Sequence, residues 1–257
     1  MTSKLQQARA ALLRAENQWQ GRAACVDGGG ARLITRAFGN IDLRPHFSAG
    51  GLMPTGLHEI MTEHDDSATS ALAWYMAGLH TEPSPHAKTP TVLWVRQRKA
   101  LDQGRLYPPA LFASPVHHNL IMMTIDQQQT ALWACEEAAK SGQITTIILE
   151  ATDYDLTAAR RLQLACEAGE TRLIVLRYHR AGQNIAPSPA WSRWQIKPQE
   201  TYRKLSLIGG RGVRPASWKV NIDEATLLVS VADTLENRLP PEGYHRPTAA
   251  RKQSVYA

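Results

Sequence analysis

Continuous apolar runs separated by amphipathic stretches fill the middle of the chain, and apolar-polar alternation replaces them towards its end. Gly56–Ile60 (GLHEI), Thr91–Val95 (TVLWV), Asn119–Ile125 (NLIMMTI), Ile144–Glu150 (ITTIILE) and Arg172–His179 (RLIVLRYH) read as strands. A run with no polar face needs cover on both sides. Leu57–Ile60, Val92–Val95, Leu120–Ile125, Thr145–Leu149 and Leu173–Leu176 are therefore predicted to form a buried sheet, mostly parallel. Helices are predicted from about Ser67, from about Gln129 to a C′ glycine at Gly142, and from a cap at Asp155 or Thr157 to Gly169. Tyr107-Pro108-Pro109 reads as loop. Strands alternating with helices imply an α/β domain with helices on both faces of the sheet.

The two ends differ from this middle. Residues 3–18 are predicted to be an amphipathic helix, with Leu5, Ala8, Leu12, Leu13 and Ala15 at helical spacing. Gly28-Gly29-Gly30 then breaks the chain before a short strand at Arg32–Ile34. Such a helix is either a mobile arm or packed on its own domain. Residues 180–190 read as a loop, and Trp191–Ile196, Arg203–Gly210 and Trp218–Ile222 as an antiparallel extension of the sheet. Beyond Leu239 the tail has three prolines and few apolar residues, and is predicted to be disordered in isolation. The chain thus divides into an N-terminal helix and linker (1–37), one α/β domain (38–238) and a flexible tail (239–257).

Composition narrows the class. The 257 residues, 43% of them hydrophobic, can bury one sizeable core. No apolar run approaches the roughly 20 residues of a membrane span. The charged first helix is no signal peptide, and three cysteines without C-x-x-C spacing suit a reducing cytoplasm. The net charge of +6 is unevenly placed. Residues 172–219 hold ten Lys or Arg against the single acid Glu200, a balance of +9, which suggests a polyanion or an acidic protein surface as partner.

The candidate chemistry centres on Ala49–Ala77. A glycine-rich turn, a short apolar strand, a loop and a helix are the frame on which a P-loop holds phosphates. The G-x-x-x-x-G-K-[ST] pattern would fall on Thr62–Thr69 (TEHDDSAT). Thr62 and Ser67 stand in place of its glycines and Ala68 in place of its lysine; only the Thr69 hydroxyl remains. From Ala49 to Asp66 the chain has four acids and no Lys or Arg, a charge of −4 that would repel a triphosphate. His64-Asp65-Asp66 is either a metal-recruiting cluster or a set of helix-entry acids, and His117-His118 lies in a surface loop.

The Ala49–Ala77 stretch resembles the P-loop region of the RecA core, and Ser141–Glu150 is similar to its Walker B strand, with Glu150 at the metal-holding acid. GLHEI, VLWV, LYPPAL, ALWACEEAAKSG, DLTAARRLQLACEAG and SRW together resemble the ImuA family, RecA-like proteins of the inducible mutagenesis cassette; the likeness covers roughly residues 38–220. It implies a RecA-like core with a degenerate P-loop. Further implications are no catalysis, no cofactor, a cytoplasmic and nucleoid-associated location, and a role in SOS-induced translesion DNA synthesis. RecA, ImuB and an error-prone DnaE-type polymerase complex are the implied partners. A RecA-type ATPase needs its lysine and a water-activating glutamate. Here the lysine is absent, and the stretch after TVLWV is the basic RQRKALD, so Glu150 is left solvated or paired with a neighbouring arginine.

In the RecA fold the loop after the Arg172–His179 strand faces DNA. The resemblance therefore makes Arg180, Trp191 and Arg193 candidates for DNA or partner contact, beside Trp194. Strand alternation puts Trp194 in the core and Trp191 more in solvent. Arg193 is either such a contact or a structural residue, and direct DNA binding is expected to be weak and salt-dependent. The ends are the candidate partner-binding segments: Leu5, Leu12 and Leu13 in the first helix, and Tyr244, Arg246, Arg251 and Lys252 in the tail. The alternatives are a SulA-like division inhibitor, which shares a degenerate RecA-like fold, and an active RecA-type ATPase.

Overall fold

The computed structural model describes residues 33–62, 67–79, 90–101, 106–113, 119–151, 154–179, 187–223 and 225–235. The first helix with Leu5, Leu12 and Leu13, the clusters at His64 and His117, Arg180, and the tail with Tyr244, Arg246, Arg251 and Lys252 lie outside them. A two-residue hairpin, β1 (Arg36–Ala37) and β2 (Ile41–Asp42), comes first. It is followed by β3 (Gly56–Thr62), α1 (Ser67–Ala77), β4 (Thr91–Gln97), α2 (Pro108–Ala113) and β5 (Asn119–Ile125). Next come α3 (Gln128–Lys140), β6 (Thr146–Ala151), α4 (Leu156–Ala168) and β7 (Arg172–Tyr178). The last four strands are β8 (Ser192–Pro198), β9 (Arg203–Gly209), β10 (Ala216–Ile222) and β11 (Val229–Leu235).

Strands β3 to β11 form one nine-stranded sheet in the order β11-β10-β9-β8-β3-β7-β6-β4-β5. From β8 to β5 the pairing is parallel, and from β8 to β11 it is antiparallel. The α/β class and its antiparallel extension are thus as the sequence pattern predicts, and the mostly parallel sheet flanked by helices fits a RecA-like core. One face is covered by α1 and the β1–β2 hairpin. There Phe38, Leu43, Phe47, Trp194 and Trp218 share a core with Leu72 and Met76. On the other face α3 and α4 bring Ala131, Cys135, Leu162 and Cys166 against Leu57, Leu149 and Val175.

The helix ends follow local rules. The Asp155 carboxylate accepts from the Ala158 amide at 2.7 Å, so Asp155 is the cap of α4. Gly142 takes a left-handed φ of +63° after α3. At Gly169 the reason for glycine is space. A Cβ there would lie 1.8 Å from the Ala139 carbonyl oxygen, so α3 and α4 touch only because this residue has none.

Several expectations need correction. Strands β3, β4, β6 and β7 are buried on both faces, whereas β5, with an equally apolar sequence, is the end strand and largely exposed. Its run identifies a strand and cannot report its rank in the sheet. Pro108-Pro109 opens the short helix α2 where a loop is expected, because proline suits a first helical turn whose amides have no partner anyway. The expected strand at Arg32–Ile34 is a single bridge between Ile34 and Leu52. Strand β11 is an addition that the pattern does not single out.

Candidate functional site

The residues of the P-loop resemblance fall on β3 and α1, and Glu150 falls on β6, which lies beside β4 in the same sheet. β3 reaches Thr62, itself buried, whose carbonyl accepts from the His179 amide at 3.0 Å. In α1, Ser67 is exposed, while Ala68 and Thr69 are buried. The Thr69 hydroxyl has no hydrogen-bond partner among the described residues. Ala68 belongs to the apolar core with Leu72 and Trp74, so the lysine's position is filled by helix packing.

Glu150 is not solvated. It lies on β6, which pairs in parallel with β4. The Arg96 Nε donates to its Oε1 at 2.7 Å, and the Trp94 indole Nε1 donates to the same oxygen at 2.9 Å. The side chains of Arg96 and Glu150 are 8% and 2% exposed, and Trp94 stacks on Trp74 of α1 with ring centres 6.3 Å apart. A guanidinium thus meets the Glu150 carboxylate, where a metal site would need that oxygen available to the ion. Of the two readings left open for Glu150, pairing with a neighbouring arginine is the one the fold adopts. The basic run after Val95 carried the signal for Arg96; Trp94 as second donor was not legible, because a tryptophan in an apolar run reads as core.

A second buried charge cluster joins the middle of β3, the end of β7 and the start of β8. Glu59 is fully buried. The Tyr154 hydroxyl donates to its Oε1 at 2.5 Å, the Arg177 Nη1 donates to the same oxygen at 3.4 Å, and the Arg193 Nε donates to Oε2 at 2.9 Å. The Arg177 guanidinium also lies over the Tyr154 ring at 4.8 Å. Burial first, and then the Glu59 charge, raise the Tyr154 phenol well above its ordinary pKa, which keeps it a neutral donor. Sequence reasoning missed Glu59, Tyr154 and Arg177; a lone acid inside an apolar strand was the available signal.

This cluster places two of the candidate contact residues. Arg193 is half-buried and bonded to Glu59, which is the structural role. Trp191 is 7% exposed, against the expectation that it faces solvent. Its amide donates to the Leu57 carbonyl at 2.8 Å, the Arg211 guanidinium covers its ring at 4.7 Å, and its indole fills the space over Gly56. Gly56 has φ +90°, and a Cβ there would come within 2.5 Å of the Trp191 ring. The side of the sheet opposite Trp194 is covered here by Gln163 of α4 and by Arg211, so a residue pointing away from Trp194 is buried and not in solvent.

The order of motifs that resembles ImuA now has an independent counterpart. A curated Protein ImuA from Caulobacter vibrioides strain NA1000 / CB15N is 28% identical over 196 residues, covering 73% of this chain and 77% of the relative. The chain is similar to ImuA. The ImuA of a second Caulobacter vibrioides strain matches to the same extent. No family model matches the chain. The likeness to ImuA thus rests on identity over 73% of the chain as well as on the motifs. No described helix is long and apolar enough to cross a membrane.

Proposed function

We propose that the chain is a non-catalytic, RecA-like accessory protein of SOS-induced mutagenic translesion DNA synthesis. It works in the cytoplasm at the nucleoid, through contacts with RecA and ImuB and so with an error-prone DnaE-type polymerase complex. The observation that carries the non-catalytic part is the buried Arg96–Glu150 pair, with Ala68 packed where a phosphate-binding lysine belongs. Similarity to ImuA supports the pathway. A RecA-like body that has kept its sheet and given up ATP can meet a RecA protomer without propagating a filament, because fold and active site are separable.

Two experiments test this. Calorimetric titration with ATP and magnesium is expected to give no binding heat at millimolar nucleotide; micromolar binding would overturn the pseudo-ATPase reading. Purified chain is expected to retain RecA and the ImuB homologue in pull-downs. Deleting residues 1–20 or 239–257 is expected to weaken that retention, and undiminished binding by both truncated chains moves the contact onto the sheet domain. Retention of the tubulin-like division protein instead would favour the division-inhibitor reading.

A further inference from the structure

β5 departs from the rule the other parallel strands keep. It is hydrogen-bonded to β4 on one side and to no described strand on the other. Ile121 is 47% exposed, Met122 50% and Met123 38%, so apolar side chains line both faces of one sheet edge. Edge strands are ordinarily kept solitary by charges, prolines, bulges or shortness. Asn119–Ile125 has no charged residue and no proline, and its seven-residue ladder with β4 runs without a bulge. Tyr107 and Phe112, at the two ends of α2, are also exposed, while Leu111 of the same helix sits in the α1-side core. Leu120 packs on that core too, which puts Met122 on the same face as α2.

The strand pattern indicates the occupant. It is neutral throughout, and Met122 at its centre is flanked by two more apolar residues, Ile121 and Met123. An antiparallel pairing about a two-fold axis at that residue sets Met122 against its own copy, Ile121 against Met123, and Leu120 against Thr124. No like charges meet, and the α1 side of one sheet continues into the α1 side of the other. We infer that β5 is a self-association edge, through which two copies of this chain join their nine-stranded sheets into one. The contact is isologous and closed, so it stops at two chains. It rests on the edge alone and stands apart from the nucleotide-site reading.

Sedimentation of the full chain at micromolar concentrations is expected to show a species of twice the 28.5 kDa chain mass. Met122→Lys, which sets two ammonium groups face to face at an exposed position, is expected to sediment as monomer with an unchanged thermal melt. Residues opposed across an antiparallel pair have Cα atoms about 4.5–5.5 Å apart, within reach of a disulfide. Met122→Cys is therefore expected to cross-link to itself on mild oxidation. Thr124→Cys, whose copies would lie about 13 Å apart, is expected to give only the background of the native cysteines. Four results overturn the inference: a monomer at every concentration, a dimer untouched by Met122→Lys, equal cross-linking at both positions, or amide protection of β5 seen only when a different protein is added.

Discussion

Removing Arg96 tests the buried pair directly. Arg96→Met keeps most of the aliphatic volume and deletes the guanidinium, leaving the Glu150 carboxylate, 2% exposed, with the Trp94 indole N–H still 2.9 Å away. A neutral indole donor does not replace the charge of the lost guanidinium. Breaking a buried ion pair from one side costs about 3–5 kcal/mol, because the surviving charge stays buried. That is a large share of a domain's total stability of roughly 5–15 kcal/mol. Arg96→Met/Glu150→Gln removes the stranded charge and keeps an acceptor for Trp94, so it is expected to recover most of the loss. Urea unfolding with linear extrapolation measures both, the slope staying constant if only the native pair has changed. In Arg96→Met the buried Glu150 carboxyl no longer has the guanidinium charge beside it to favour its ionised form. The native state then binds the proton more readily, and the deficit against the parent chain shrinks as pH falls. A loss below about 1 kcal/mol, the worth of an exposed pair, would refute the reasoning, as would a double variant no more stable than the single one.

Acid should destabilise the chain through His58, which is fully buried on β3, with its Nδ1 2.8 Å from the Ser192 hydroxyl. Burial, helped by the neighbouring Arg172 charge, lowers its pKa from 6.5 to about 3. The unfolded chain takes up that proton first, so stability is intact above pH 6.5 and is lost as pH falls from there. Between pH 7 and 5 the loss is expected to be about 2 kcal/mol in urea melts, and a His58→Gln chain is expected to lack that component. Gly169→Ala is expected to cost at least about 1–3 kcal/mol by forcing α3 and α4 apart, read as a lowered melting temperature; an unchanged melt would disprove the close contact. Trp191→Ala is expected to cost about 3–5 kcal/mol of stability, as for a buried tryptophan. A stable variant with weakened DNA binding in fluorescence anisotropy would return Trp191 to the surface.

The strands of the sheet centre were legible because cover on both faces forces a continuous apolar run, and Leu57, Val92, Ile147 and Leu173 all obey it. The same run in β5 carries no mark of its place at the edge, since strand order is decided by partners far along the chain. The charge clusters illustrate a similar limit. Glu59 finds Arg193 134 positions away, and Trp94 finds Glu150 56 away, separations at which residue spacing says nothing about contact. Local signals fared better: Asp155 caps its helix and Gly142 ends one, because those interactions are complete within a turn. Departure from the phosphate-loop pattern at Thr62, Ser67 and Ala68 was readable residue by residue. That an arginine from the neighbouring strand pairs with Glu150 required the placement of β4 beside β6.

The position of β3 also has a consequence for synthesis of the chain. Leu57 is laddered to Leu173 on one side, and its neighbour His58 to Ser192 on the other, so β3 is made early and both its partners late. At a translation rate of about 5–20 residues per second, this buried strand waits on the order of ten seconds for the first of them. The hairpins from β8 to β11, by contrast, close within a few residues of being made, and such local closures are entropically cheap. The newborn chain therefore carries an unsatisfied apolar strand until the residues up to Leu173 have been made. Chaperone dependence in cells, and aggregation of any fragment that stops short of β7, are the expected signs of that order.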